Sequence, residues 1–268
     1  MTITPEQKTP RTGACVTSVA AVFDPVFARL EQWADLVERY AARPGTVADR
    51  AELDSLVEEL VRREFADPVG CVIGAGFVSA PGFLGWHLAW WLGGQNAASP
   101  RLPANGIRHL ETLEDPLDEN FRDYTALEWW RVPAQTGRRH ITGPYVDYLC
   151  TDEYTLTLTL PVYRGGNELI GVVGIDLSVD EIERDLVPLL GADAVAVTVI
   201  NASGRVVVST DTHLATGALL RLPGLTKLLA DPASTDGAVG LHGAHTFQWC
   251  GRTELAVVAG PAAVLAPS

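Results

Sequence analysis

Apolar residues near the beginning of the chain recur every three or four positions, the spacing that places side chains on one side of a helix. This stripe runs through residues 16–42 and predicts a long amphipathic helix that ends at Pro44. Thr46 or Asp49 can cap a second helix, whose own stripe runs through residues 53–61. Such a stripe is usually a core face, and a homodimer through the long first helix is a further expectation.

Beyond the second helix the pattern changes from helical spacing to alternation, which predicts strands. Residues 70–80 and 85–92 form the first predicted strand pair. Residues 93–120 are acidic and contain several prolines, and this composition predicts a loop. A short helix is predicted over residues 121–132, and Pro133 is expected to end it.

The most informative alternation lies in the middle of the chain, where residues 154–160 read Tyr-Thr-Leu-Thr-Leu-Thr-Leu. It places the leucines on one face of a strand and the threonines on the other, so one face is core and the other is partly polar. The Gly-Gly-Asn segment 165–167 predicts a tight reversal, because these residues accept positive φ. The chain then returns as a strand over residues 169–175, which is expected to end at Asp176.

The last third of the chain predicts a helix over residues 179–190 with Leu189 on its inward side, followed by strands at 194–200 and 205–209 and about three more over 237–264. The order helix, strands, helix, strands is typical of an α+β fold with antiparallel sheets. The predicted parts are an N-terminal helical segment (1–68), a ligand-binding module with a bridging helix (69–190) and a second, smaller module (191–268).

The composition argues against several classes of function. The formal net charge of -13 disfavours nucleic acid as a partner, because phosphate neutralisation needs clustered Lys and Arg. A signal-peptide apolar region and a run of about 18 apolar residues are both absent from the sequence, which predicts a cytoplasmic protein without membrane contact. Its four cysteines are spaced singly, as reduced thiols rather than metal ligands. The sequence lacks GxSxG, GxxxxGK[ST] and HExxH motifs, so neither an enzyme nor a cofactor is expected.

Three runs resemble the double Cache family, sensor domains in which a long helix precedes two PAS-like sheets. These runs are TGPYVDY at 142–148, PVYRGGNELIGVVGIDLS at 161–178 and VINASGRVVVST at 199–210. The resemblance implies a small-molecule sensor that folds as two modules. Since the chain contains no kinase or DNA-binding segment, a regulatory partner protein is expected to carry the output.

The resemblance also implies a set of site residues in the first module. Family members that bind amines or amino acids use an aromatic pair on a helix, a Tyr and an Asp on the next strand, and an Asp at the end of a later strand. The corresponding residues here are Trp129, Trp130, Tyr145, Asp147 and Asp176. The arginine that the family places two residues before the aromatic pair is replaced by Leu127, and the nearest guanidinium belongs to Arg131.

The chemistry of these residues favours a cationic ligand. Tyr145 and Asp147 are two apart on a strand and face the same way, so an aromatic ring and a carboxylate share one space. An ammonium group gains charge-assisted hydrogen bonds from Asp147 and Asp176, and a tryptophan face adds about 0.5–2 kcal/mol. Two buried carboxylates also raise each other's pKa, so a bound cation offsets the repulsion between their charges. The sequence therefore predicts a small amine as the ligand.

Several alternatives stay open at this point. Arg131 can hold the carboxylate of an amino-acid ligand, or the pocket is vestigial and the chain is an interaction protein. Asp176 precedes a helix and can serve as a turn or cap residue instead of a ligand contact. Trp129 and Trp130 point about 100° apart on a helix, so one of the two is expected to fill the core.

Overall fold

The computed structural model describes residues 9–43, 48–66, 71–93, 106–146, 154–191, 195–230 and 237–262. Its helices are α1 (Thr9–Ala41), α2 (Arg50–Ala66), α3 (Pro81–Leu84), α4 (Glu128–Thr136), α5 (Val179–Leu190) and α6 (Leu225–Leu229). Its strands are β1 (Val72–Ser79), β2 (Leu88–Gly93), β3 (Ile107–His109), β4 (His140–Val146), β5 (Tyr154–Arg164), β6 (Glu168–Ser178), β7 (Ala196–Asn201), β8 (Val206–Ser209), β9 (Val239–Leu241), β10 (His245–Trp249) and β11 (Leu255–Gly260). The predicted α+β class with antiparallel sheets is confirmed.

Contacts divide the chain into two compact units. One unit contains residues 26–142 and 146–178, and its sheet has the strand order β3-β2-β1-β6-β5-β4. The other contains the chain up to Pro25, residues 143–145 and everything from Val179 onward, and its sheet has the order β8-β7-β11-β10-β9. Helix α5, which the sequence division places with the first module, groups by contact with the second sheet.

The two predicted N-terminal helices are both present. In α1 the predicted apolar stripe is buried, and Phe27 and Leu30 belong to the core. At the start of α2 the Asp49 Oδ1 atom accepts a 2.9 Å hydrogen bond from the backbone N–H of Glu52, which makes Asp49 the predicted N-cap. Thr46, the other predicted cap, lies outside the described residues.

Helix α1 also bears on the prediction that the chain avoids membranes. Residues Thr12–Ala41, with a mean hydropathy of 1.4 in their most apolar window, are long and apolar enough to cross a bilayer by length and composition. Core helices of soluble proteins meet the same criterion, and here the Phe27, Leu30 and Val37 side chains pack against protein. Absence of membrane contact remains a prediction.

The first unit differs from the sequence prediction in three places. Strand β3 lies in a stretch predicted to be a loop, because a three-residue edge strand has almost no periodic signal. The strand β6 continues to Ser178, so Asp176 is inside the strand and not at its end. The helix α4 contains Pro133 and ends at Thr136, because Gly137 takes the left-handed conformation with φ 67°.

The second unit matches its predicted elements closely. Strands β7 to β11 occupy the predicted segments, and their core includes Ile200, Phe247 and Trp249. Helix α5 has the predicted bounds, but Leu189, expected inward, is 58% exposed. The buried stripe of α5 passes through Leu190. Leu189, its neighbour in sequence, points about 100° away from that side chain.

Candidate ligand-binding site

The six-stranded sheet has one apolar face and one polar face, and both are covered. Paired residues of antiparallel strands point to the same side, so the register shows which side chains share a face. The polar face carries one cross-strand row of Leu92, Gly74, Asp176 and Thr157 and a neighbouring row of Trp90, Gly76, Gly174 and Thr159. The predicted separation of leucines from threonines on β5 is therefore confirmed, and all of these residues are buried except Leu160, which is half-buried.

Helix α4 and the 3-10 turn before it cover this polar face. Trp130 of α4 and Tyr124 of the turn pack with Trp90 and Val172, which lie on the polar side of the sheet. Helix α4 also contacts strands β5 and β6 directly. This side of the sheet is called the α4 face below.

Asp176 is buried on the α4 face with only 4% of its surface exposed. Its Oδ1 atom accepts a 2.6 Å hydrogen bond from the Thr157 hydroxyl on the paired strand β5. A carboxylate that lies within a strand and bonds across the sheet favours the site role over the turn-or-cap alternative. Burial of a carboxylate is costly unless charge or hydrogen bonds compensate it, and the Thr157 hydroxyl supplies one such hydrogen bond.

Gly74 makes the room that the Asp176 carboxylate occupies. A Cβ atom at Gly74 would lie 2.9 Å from Asp176 Oδ2 and 3.0 Å from Trp90 Nε1. The carboxylate and the indole N–H of Trp90 thus converge on one small region above strand β1. Only the register of β1 with both of its neighbours shows this convergence.

Aromatic rings border this region from the α4 side. The Tyr124 ring stacks on Trp129 with a centroid distance of 6.1 Å and meets Trp130 edge-to-face at 5.2 Å. Trp130 is the core member of the predicted tryptophan pair, and Trp129 is half-buried. The Tyr124 hydroxyl donates a 2.6 Å hydrogen bond to the Ser79 carbonyl, and burial raises the pKa of this phenol well above its ordinary value.

The remaining predicted site residues have different surroundings. The Arg131 side chain is exposed on α4. Tyr145 is half-buried near the end of β4, in the short stretch that groups by contact with the second unit. Asp147 lies outside the described residues, so its pairing with Tyr145 stays a prediction.

Arg108 is a basic residue on the α4 face that sequence reasoning missed. It pairs with Leu92 and therefore extends the row that contains Gly74 and Asp176. Three strand spacings separate it from Asp176, a backbone distance of about 14 Å. The sequence could not have identified it, because the segment that contains β3 reads as a loop.

Comparison with known proteins identifies the fold and the first module. Residues 109–184, which include α4 and β4 to β6, match the family model described as methyl-accepting chemotaxis protein-like, first PDC sensor domain. The N-terminal helix and the two antiparallel sheets have the double Cache fold that the sequence runs predict. The matched segment contains most of the α4 face.

Solved structures share this fold over nearly the whole chain. The extracellular domain of the histidine kinase mmHK1S-Z2 has a TM-score of 0.63 and 14% identity, with 95% of each chain covered. The ligand-binding domain of Pseudomonas fluorescens chemoreceptor CtaA in complex with L-serine has a TM-score of 0.55 and 16% identity, with 93% of each chain covered. The ligand-binding domain of the Pseudomonas aeruginosa PAO1 amino acid chemoreceptor PctC in complex with GABA has a TM-score of 0.50 and 16% identity, with 91% of this chain and 94% of that chain covered.

One curated protein shares a shorter stretch of sequence. Citrate (Re)-synthase of Syntrophus aciditrophicus strain SB is 25% identical over 88 residues. The match spans 30% of this chain and 14% of that enzyme, so it concerns a segment only.

Proposed function

We propose that this chain senses a small amine or another cationic metabolite, which binds on the α4 face beside Asp176. The observation that carries the proposal is a carboxylate, 4% exposed, on a sheet face where threonines and glycines lie beside Trp90 and Leu92. An ammonium group placed there makes charge-assisted hydrogen bonds with the carboxylate. The Thr157 hydroxyl holds the carboxylate in place through its 2.6 Å hydrogen bond.

Aromatic rings on the α4 face support the same ligand class. Trp90 reaches the region above Gly74, and Tyr124 with Trp129 forms a stacked pair on the covering side. A cation over such a ring gains about 0.5–2 kcal/mol. L-serine and GABA, the ligands bound in two structural neighbours, both carry an amino group, which agrees with this proposal.

The proposal is tested by thermal-shift screening and calorimetry over amines and amino acids. Asp176→Asn keeps the size of the side chain and removes its charge, and it should weaken amine binding at least tenfold while the fold stays intact. Asp211→Asn is the matched control, because Asp211 is equally buried at 4% exposure and lies in the other unit. Unchanged amine affinity in Asp176→Asn would refute the proposal.

An amino acid held through its carboxylate is the second candidate. Arg131 remains the predicted carboxylate partner, and Arg108 adds a guanidinium on the α4 face. Arg131→Ala and Arg108→Gln are therefore compared for binding of serine, GABA and an uncharged-tail amine. Loss of only the two amino acids in either variant would favour this candidate, whereas equal retention of all ligands favours the amine sensor.

The output of the sensor is proposed to pass through a regulatory partner protein. The cytoplasmic location and the homodimer through α1 are part of the same proposal, and cell fractionation and light scattering test them separately. We propose no catalytic step for this chain, and turnover of an amine by the purified protein would reverse that assignment. If no amine or amino acid stabilises the protein, an interaction protein with a vestigial pocket becomes the better description.

A further inference from the structure

Two buried hydroxyl groups have no hydrogen-bond partner among the residues that the structure describes. They belong to Thr159 on β5, which is 1% exposed, and Thr142 on β4, which is 8% exposed. A buried hydroxyl without a partner loses its hydrogen bonds to water and costs stability, so native proteins keep few of them. Two such groups on adjacent strands of one sheet therefore call for a ligand or a functional reason.

Both hydroxyls belong to the α4 face. Thr159 is two residues after Thr157 on β5, so the two share a face. Thr142 is two residues after His140, whose Nε2 atom is 3.0 Å from Glu128 Oε1 in the first turn of α4. Helix α4 thus contacts strand β5 and, through Glu128, strand β4, the two strands that carry these threonines.

The position of Thr159 relative to Asp176 limits the size of a shared ligand. The Thr159 methyl group is 3.2 Å from the point where a Cβ of Gly174 would lie, and the Trp90 ring is 3.1 Å from the same point. The methyl group thus makes the contact toward β6 and Trp90. One strand repeat separates Thr159 from Thr157, the hydrogen-bond partner of Asp176, a distance of about 7 Å along β5.

We infer that Thr142 and Thr159 form a second polar subsite, which binds an oxygen atom of the same ligand whose ammonium group lies at Asp176. This inference rests on the proposed function and narrows its ligand class. The ligand carries a hydroxyl, carbonyl or carboxylate oxygen several bonds away from its nitrogen. Threonine hydroxyls donate to such an oxygen, while an alkyl group at the same place leaves both donors unsatisfied.

The test compares matched ligands and matched variants by calorimetry. The probes are alkylamines of two to six carbons, the ω-amino alcohols of the same lengths and the corresponding ω-amino acids. Wild-type protein should bind the best amino alcohol or amino acid roughly 5- to 10-fold more tightly than the alkylamine of equal length. Thr159→Val and Thr142→Val should each reduce this preference and leave alkylamine affinity unchanged, whereas Thr159→Ser should retain it.

The melting temperature of the free protein is a second measurement on the same variants. Removing an unpartnered hydroxyl should leave the melting temperature of Thr159→Val equal to that of wild type or raise it by a few degrees. Thr198→Val is the control, because the Thr198 hydroxyl is 2.8 Å from Ser209 Oγ in the second sheet. That variant should melt at a lower temperature with the ligand preference unchanged.

The outcomes separate the two proposals. If alkylamines bind in an Asp176-dependent way but Thr159→Val and Thr142→Val keep the wild-type preference, only the second subsite is refuted. The same holds if wild-type protein shows no preference for oxygen-bearing amines. If no probe binds to wild-type protein, both proposals fail. Comparing the amino alcohols with the amino acids shows whether the second subsite prefers a neutral oxygen or a carboxylate.

Discussion

The Thr157 hydroxyl donates a 2.6 Å hydrogen bond to Asp176 Oδ1 across the pair of strands β5 and β6. This bond fixes a buried carboxylate in a position from which it faces the covering helix α4. The α4 face thus combines a fixed negative group with aromatic rings, an arrangement that suits a cation.

Thr157→Val removes the donor and keeps the shape of the side chain. Because hydrogen bonds to charged groups are stronger than neutral ones, we expect the free energy of unfolding to fall by about 1.5–3 kcal/mol. Chemical denaturation measures the difference, and Thr157→Ser, which restores a hydroxyl, should recover most of it. Equal stability of Thr157→Val and wild type would show that the bond contributes nothing.

The variant Gly74→Ala tests whether stability and amine binding need the space above strand β1. The new methyl group would lie 2.9 Å from Asp176 Oδ2 and 3.0 Å from Trp90 Nε1, so one of these groups must move. We expect a loss of about 1–3 kcal/mol in stability together with weaker amine binding.

Gly82→Ala is the control for this variant. A Cβ atom at Gly82 has no described heavy atom within 4 Å, and its φ is not positive. Calorimetry and denaturation of the two variants side by side separate the loss of space from a general effect of replacing glycine. A Gly74→Ala protein with wild-type stability and affinity would contradict the assignment of this region.

His87 links helix α2 to the segment before α4 and should make stability depend on pH. Its Nε2 atom is 2.7 Å from Asp54 Oδ1, and its Nδ1 atom is 2.8 Å from Glu114 Oε1. Ionised carboxylates only accept hydrogen bonds, so the ring satisfies both when it carries both protons. The hydrogen bond to Asp54, assisted by that to Glu114, raises the pKa of His87 although burial opposes the shift. The Arg50 guanidinium bonds the other oxygen of Glu114 at 2.5 Å.

A raised pKa in the folded state means that the stabilising contribution is complete below the ordinary histidine pKa, about 6.5, and is lost as the pH rises through the folded value. The difference in unfolding free energy between wild type and His87→Gln should therefore be greatest in acid, roughly 1–3 kcal/mol, and shrink toward alkaline pH. Denaturation at a series of pH values measures it. A pH-independent difference for His87→Gln would refute the assignment.

Cys250 should be inert in the folded protein. Burial raises the pKa of its thiol to about 12, and alkylating reagents need the thiolate. Peptide mapping after iodoacetamide treatment should show Cys250 modified only when guanidinium chloride is present. Labelling of Cys250 in the native protein at the rate of the unfolded chain would contradict its buried position.

Local signals made much of the fold predictable. The apolar stripe of α1, the Asp49 cap and the α5 bounds follow from contacts within a few residues, which a sequence shows directly. The turn at 165–167 was predictable for the same reason, since Gly165 and Gly166 both take positive φ. By contrast, β3 depends on pairing with β2, which is distant in sequence.

The order and type of the main elements were determined by the sequence alone, because periodicity and turn chemistry act over short distances. Only the tertiary structure decided that Trp90 and Gly74 adjoin Asp176, since three strands must pair in one register to bring them together. It also decided that α4 encloses the threonine face of β5. In that enclosed place the Thr159 hydroxyl has no hydrogen-bond partner among the described residues. Alternation separates two faces of a strand, and long-range packing determines what each face meets.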